Sequence, residues 1–317
     1  MEARGVFCYT ICMQSSTKKR VGVLRGGEGK YYTSSLQKGG EVISQIFENL
    51  SDKYKVLDIL VDKESQWHLS GMPIIPADLI NKVDVVWNTS HPSFSNILKS
   101  LGISHIEAGA FSAALQNNQG SLSENVKEAG VSMPQSILFP LYQKDFDGPL
   151  ELYSANKARE VFEKFPSPWI VKAYTKDSNM GIHLAKTFPE LVDAIEDGVK
   201  HEKSILVEEF ITGKVATVHS MPNFRGQEIY TFPLGNTFGV FSPAEKEKLE
   251  ILAKKLHKHL GAKHYLKSDF VLNPHGKVYL LQVSEKMDLK LGSHFSEAIE
   301  SVGGKPHHVI EHILEQI

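Results

Sequence analysis

The 317-residue chain carries 35 Lys and Arg residues against 37 Asp and Glu residues, which gives a net charge of -2. This balance excludes the basic surface that proteins use to neutralise nucleic-acid phosphates, and no apolar run approaches the roughly 20 residues of a transmembrane helix. With 41% hydrophobic and 23% charged residues, the composition predicts a globular, cytoplasmic protein of roughly two or three domains that binds neither nucleic acid nor membrane.

Residues 1–20 form a leading segment ahead of the first predicted strand. Both cysteines of the chain, Cys8 and Cys12, lie in it, so the remaining sequence offers no disulfide framework. Its short apolar run lacks the basic start and the cleavage motif of a signal peptide. We expect this segment to be disordered or to reflect a start-site error, with Met13 as the natural first residue.

Residues 21–110 alternate strand and helix patterns. The β-prone run 21–25 ends at a Gly-Gly pair and is followed by apolar residues at helical spacing, namely Leu36, Ile43, Phe47 and Leu50. Further strands are predicted at 54–61 and 83–87, with a hairpin around Ser70-Gly71 between them. Alternating β and α units predict a parallel, Rossmann-like sheet.

Residues 111–207 form the second predicted unit. A helical stretch runs to Val126 and stops at Gly130. The strands 169–174 and 182–186 flank a polar loop and predict an antiparallel pair, covered by a helix over 189–200.

Residues 208–317 complete the chain as a third unit. Strands are predicted at 205–210, which leads into this unit, and at 215–221 and 228–232, followed by a helix that starts near Pro243. The buried stripe of that helix is predicted from the spacing of Leu249, Leu252, Leu256 and Leu260. Two more strands, at 265–273 and 277–283, are joined by a turn.

Four segments in fixed order carry a family resemblance. They are Val-Gly-Val-Leu-Arg-Gly-Gly at 21–27, Ile-Val-Lys at 170–172, Val-Glu-Glu-Phe-Ile-Thr-Gly at 207–213, and Asp-Phe-Val-Leu at 269–272 followed by Gly-Lys-Val-Tyr-Leu-Leu-Gln-Val. Together they resemble D-alanine:D-alanine ligases of the ATP-grasp superfamily. The resemblance implies an α/β fold with an N-terminal Rossmann-like domain, a small central α+β domain, and a C-terminal α+β domain, with the ATP cleft between the last two.

The same resemblance implies a chemistry, in which ATP phosphorylates a carboxylate and an amine attacks the acyl phosphate. It implies ATP and Mg²⁺ as cofactors, D-alanine or a similar small molecule as substrate, and a homodimer. Lys172 matches the lysine on the ATP phosphates. The other residues that match cofactor-binding positions are Ile170, Glu208, Glu209, Phe210, Ile211 and Leu281.

The resemblance also assigns metal and catalytic positions. Asp269, Gln282 and Ser284 match the metal ligands, and the last two lie 13 and 15 residues after the first, which puts both on one strand face. Gln282 and Ser284 replace a Glu and an Asn of the family, so the affinity of the site for magnesium should fall. The residues that match catalytic positions are Lys267, Ser178, His91 and Ser293.

Several family positions are replaced in this chain. Gln119 occupies the position of a lysine that contacts ATP, and Val215 that of the acid that contacts the ribose. Tyr31 occupies the position of a glutamate at the substrate end of the site. Lys267 replaces an arginine, which keeps the charge but loses the two-point fork. The segment 233–242 passes almost directly into a helix where the family has a substrate lid.

Three functions therefore stay open. The first is a D-alanine:D-alanine ligase-like enzyme of peptidoglycan precursor synthesis with weak or altered activity. The second is an inactive paralogue that acts by binding nucleotide or protein, and the third is a ligase for another amino or hydroxy acid. Lys172 could also be a solvated surface lysine, and residues 208–211 could be part of the hydrophobic core without contacting a nucleotide. The 14 histidines show no zinc spacing, and hydrolase and P-loop motifs are absent from the sequence.

Overall fold

The computed structural model describes most of the chain as helices and strands arranged over three β-sheets. The described residues are 18–27, 29, 31–106, 119–140, 142, 148–174, 180–201 and 204–317. Cys8, Cys12, Met13 and Ser178 therefore lie outside the described residues. Within them, every helix is too short or too polar to span a membrane.

The first sheet has six strands in the order β4-β3-β2-β1-β5-β6. These strands are β1 (Lys19–Gly26), β2 (Tyr54–Val61), β3 (Trp67–Leu69), β4 (Met72–Ile74), β5 (Val85–Asn88) and β6 (His105–Ile106). The four strands β2, β1, β5 and β6 are parallel, as predicted. The predicted hairpin is β3-β4, which extends one edge in the antiparallel sense.

Two helices, α1 (Tyr31–Asn49) and α2 (Ser93–Ser100), pack beside this sheet. The predicted apolar stripe of α1 is wrong in its phase, because Phe47 is 68% exposed. Val42 and Ile46 are buried in its place, whereas the predicted Leu50 is buried and the predicted Ile43 packs partly buried against the same core. The helix is thus turned by about one residue relative to the prediction.

The second sheet is antiparallel, in the order β7-β10-β8-β9. Its strands are β7 (Ser136–Phe139), β8 (Trp169–Ala173), β9 (His183–Ala185) and β10 (Ile205–Glu209). The predicted antiparallel pair is therefore β8-β9. The helix α3 (Gln119–Glu128) precedes this sheet, and Gly130 ends its last turn with a φ of 73°.

One face of the second sheet is covered by α4 (Leu150–Lys164) and α5 (Phe188–Lys200). The helix α5 starts with a capping box, in which Thr187 and Glu190 satisfy each other's backbone N–H groups. The opposite face of the sheet carries the polar side chains of Lys172 and Glu208.

The third sheet has the order β12-β11-β14-β15, with β13 also paired to β11. Its strands are β11 (Lys214–Pro222), β12 (Ile229–Thr231), β13 (Gly235–Phe238), β14 (Leu266–Leu272) and β15 (Val278–Ser284). The helices that follow its strands are α6 (Pro243–His259), α7 (His294–Ser301) and α8 (Pro306–Glu315). The predicted start of α6 at Pro243 is confirmed, and β13 was not predicted.

Two cores fix the third sheet in the molecule. Its back face packs against α6 through Leu249 and Leu256, whereas Leu252 is only half-buried. At the other side, a second core joins the first sheet to the third and includes Val85 and Phe295. This second core also contains Met221 of β11, so it connects the third sheet to the first.

A close backbone approach connects the second and third sheets. Gly213 links β10 to β11, and a Cβ atom built on it would lie 2.2 Å from the carbonyl oxygen of Leu272. No side chain fits at that distance, so only glycine can occupy position 213 without a steric clash.

We therefore expect Gly213→Ala to lower the free energy of unfolding by about 1–3 kcal/mol, because the added methyl group overpacks the crossing. Gly40→Ala is the matched control, since a Cβ atom there meets nothing within 4 Å, and alanine favours a helix by roughly 0.5–1 kcal/mol. Urea unfolding of both variants measures the effect. Equal stabilities for the two variants would contradict the steric role.

Candidate functional site

A row of polar side chains crosses one face of the third sheet. In the antiparallel pairing of β11 with β14, Thr217 lies opposite Asp269 and His219 lies opposite Lys267. Successive strand residues point to opposite faces, so the intervening Val218 is in the core under α6. The strand pairing thus gathers two polar pairs on a single face.

The third strand of the row is β15. Gln282 lies opposite Asp269, and Ser284 lies opposite Lys267. The register then shifts by one residue, which leaves Leu281 as a bulge that is 36% exposed. The predicted placement of 282 and 284 on the face of Asp269 agrees with this register.

The Asp269 carboxylate is surrounded by protein donors. The Thr217 hydroxyl donates to Oδ1 at 2.5 Å, and the Gln282 Nε2 donates to Oδ2 at 2.5 Å. The Lys267 Nζ lies 3.1 Å from Oδ2. Asp269 is only 8% exposed, so the carboxylate obtains its charge compensation from these three neighbours and not from bulk water.

Sequence reasoning missed His219, which is buried beside this cluster. Its Nδ1 lies 2.7 Å from the Tyr265 hydroxyl. Burial, reinforced by the charge of Lys267, lowers the pKa of His219 to about 3, and burial raises the pKa of Tyr265 well above its usual value. The phenol therefore stays protonated and the imidazole stays neutral, and the two groups share a hydrogen bond between the Tyr265 hydroxyl and Nδ1. The strand alternation with Thr217 was the available signal.

A second polar group lies on the second sheet. The Lys172 Nζ is 2.5 Å from a carboxylate oxygen of Glu208, and the two side chains are 33% and 14% exposed. Lys172 pairs with Leu206, and Ile170 pairs with Glu208. Since Val171 belongs to the core under α4 and α5, these four residues occupy the opposite face. The predicted Lys172 and Glu208 are thus in direct contact.

The strand β10 continues into the remaining predicted cofactor positions. The backbone N–H of Glu209 donates to the Gln135 carbonyl, and that of Phe210 donates to the Pro168 carbonyl. The Phe210 ring is 38% exposed, and Ile211 is half-buried. Partly exposed apolar side chains at the edge of a sheet are suited to contact with a flat heterocycle.

The structure gives His91 and Ser293 local structural contacts. The Ser93 backbone N–H donates to His91 Nδ1 just before α2. Ser293 caps α7, because its Oγ accepts from the Ser296 N–H and donates to the Asp288 carbonyl. Their predicted catalytic roles stay predictions.

Comparison with known proteins shows which proteins this chain is similar to. The family described as D-ala D-ala ligase C-terminus matches residues 127–230. A D-alanine--D-alanine ligase of Fervidobacterium nodosum is 26% identical over 299 residues, covering 83% of this chain and 88% of the relative. The corresponding ligase of Desulforamulus reducens is 23% identical, covering 90% and 94%.

Solved structures agree with the fold. The VanG D-Ala:D-Ser ligase of Enterococcus faecalis superposes with a TM-score of 0.73 at 17% identity, over 93% of this chain and 98% of that one. The D-alanine--D-alanine ligase of Bacillus anthracis complexed with ATP gives 0.70 at 18% identity, over 95% and 97%. The protein therefore has the ATP-grasp fold. Over most of its length its sequence is similar to D-alanine–D-alanine ligases, as its sequence motifs predict.

We expect Thr217→Val to lower the free energy of unfolding by about 1.5–3 kcal/mol, because the buried hydroxyl bonds a charged acceptor and valine keeps the shape. Thr237→Val, at an exposed position of β13, is the control and should change stability by less than about 0.5 kcal/mol. Thermal and urea unfolding measure both. A Thr217 variant as stable as the control would show that Asp269 does not need this donor.

Proposed function

We propose that this protein is an ATP-dependent ligase that joins a small amino acid, D-alanine or a close analogue, to an amine through an acyl phosphate. Its activity is weak or altered relative to the D-alanine–D-alanine ligases that it resembles. The observation that carries the proposal is the position of Lys172 with Glu208 on one sheet and of Lys267 with Asp269 on the next, in the family's order and fold.

The two lysines supply the charge that such a reaction needs. ATP and an acyl phosphate are polyanionic, and their catalysis depends mainly on positioning and charge stabilisation. In the proposal, Lys172 binds the ATP phosphates and Lys267 stabilises the negative charge that develops on the tetrahedral intermediate. Lys267 acts there as a point charge, without the bidentate geometry of arginine. Phe210, Ile211 and Leu281 supply apolar contact to the base.

Magnesium fits this site poorly. A magnesium ion prefers several charged oxygen ligands at near-octahedral positions, whereas the Asp269 carboxylate contacts an amide N–H, a hydroxyl and an ammonium. Across the described residues, no group of three or more His, Cys, Asp or Glu side chains is arranged to hold a metal.

Two observations keep the other functions under consideration. Val215 lies on β11, where the resemblance expects the acid on the ribose, and this apolar replacement supports the inactive paralogue, because it weakens nucleotide binding. The VanG D-Ala:D-Ser ligase of Enterococcus faecalis has the same fold, which supports a different acceptor. We propose a small-molecule substrate, a homodimer and a cytoplasmic location on the family resemblance.

We expect ATP at about 100 times its dissociation constant to add about 2.7 kcal/mol to the free energy of unfolding. Lys172→Ala should abolish that increment, because the variant loses the phosphate-binding cation. Lys164→Ala, on α4 at the covered side of the same sheet, should retain it. Thermal unfolding with and without ATP measures the three proteins. If ATP stabilises none of them at millimolar concentration, nucleotide binding is disproved.

Turnover separates the three functions. Purified protein incubated with ATP and D-alanine should release ADP in a D-alanine-dependent manner and form the dipeptide. ATP binding without ADP release would support the inactive paralogue. ADP release only with another acid, identified by mass spectrometry of the product, would support an altered substrate.

A further inference from the structure

Asp269 matches a metal ligand of the family, and Lys267, which matches an arginine, is in contact with it. Lys267 Nζ lies 3.1 Å from Asp269 Oδ2, and the Gln282 amide donates to the same oxygen. The amide must present its nitrogen there, because two facing oxygens would repel each other. The face thus has one carboxylate and one ammonium in contact, with a neutral amide in the place of a second carboxylate.

A divalent cation would meet two obstacles at this position. It would have to displace the Thr217, Gln282 and Lys267 donors from a carboxylate that is only 8% exposed. It would also lie close to the Lys267 ammonium, and like charges at such distances repel strongly in a partly buried site. Both effects oppose metal binding and stabilise the lysine in its present place.

Lys267 keeps donor capacity for a ligand. An ammonium has three N–H donors, and the contact with Asp269 uses one of them. Its side chain is 30% exposed, so the remaining donors are accessible from the open side of the sheet. Its cross-strand neighbour His219 is neutral, so it adds no competing positive charge.

We propose that Lys267 is a built-in cation that replaces the divalent metal ion, so that the site binds the phosphates of a nucleoside triphosphate without metal. The inference rests on the proposed nucleotide site. Asp269 and Gln282 position the ammonium as protein donors and acceptors, and the ligand class is a polyphosphate anion. Lys172 on the second sheet provides a further cation for the same chain of phosphates.

The first experiment measures ATP binding to the full chain by calorimetry, in excess EDTA and in excess Mg²⁺. We expect the two dissociation constants to agree within about twofold, because the lysine already supplies the charge. Lys267→Met should weaken ATP binding in EDTA by about tenfold or more, the effect of losing a charge-assisted contact. Lys267→Arg should retain metal-free binding, and Lys263→Met, at an exposed position before β14, is the control.

The second experiment restores a carboxylate. Gln282→Glu places two acids beside one lysine, so ATP binding should weaken in EDTA and recover with Mg²⁺. The control is Gln316→Glu at the C-terminal end of the chain, outside the third sheet, which should leave binding metal-independent. Manganese alone, followed by electron paramagnetic resonance, should bind Gln282→Glu more tightly than the unchanged protein.

The outcomes separate the two proposals. ATP binding that falls at least tenfold in EDTA would overturn the built-in cation and leave the proposed nucleotide site standing. An unchanged affinity of Lys267→Met for ATP in EDTA would equally overturn it. The same holds if the affinity of Gln282→Glu for ATP is equal in EDTA and in Mg²⁺. ATP binding in neither condition would overturn the proposed function itself, and the inference with it.

Discussion

The antiparallel ladder between β11 and β14 is the constraint on which the rest of the molecule depends. Seven residue pairs, from Lys214 with Leu272 to Ser220 with Leu266, are held in a single register. That register turns apolar residues toward α6 and the polar row toward the opposite face. A slip of one residue would exchange the two faces, so the same backbone pairing that builds the core also assembles the candidate site.

The contrast between framework and site has a physical basis. Apolar contacts tolerate substitution as long as volume and pattern are kept, which agrees with a fold shared at 17% identity with a solved structure. A phosphate site depends on individual charges and donors, so replacing a glutamate by Gln282 changes its net charge, and replacing an arginine by Lys267 changes its hydrogen-bond geometry. In this chain the Asp269 carboxylate is compensated within the protein, which is a coherent arrangement and not merely an incomplete version of the family's site.

Much of the fold could be predicted from the sequence, because strands such as β2 and β14 have strong β-propensity and Pro243 marks a helix start. The exceptions depend on tertiary contacts. The phase of α1 is set by packing of Val42 and Ile46 against the sheet, and β13 forms by pairing with β11. In the site, spacing predicted the shared face of Gln282 and Ser284, whereas their pairing with Asp269 and Lys267, the hydrogen-bond partners and the burial of His219 depend on the strand register.

The edge strand β4 has a consequence for behaviour in concentrated solution. β4 pairs only with β3 in the six-stranded sheet, and nearby Met72 and Ile75 are 70% and 62% exposed. Such an apolar edge is a template on which other chains can stack as added strands. Pro73 lies in the middle of β4 and has no N–H to donate. The strand is only three residues long, so the sheet ends without offering a continuous ladder for aggregation.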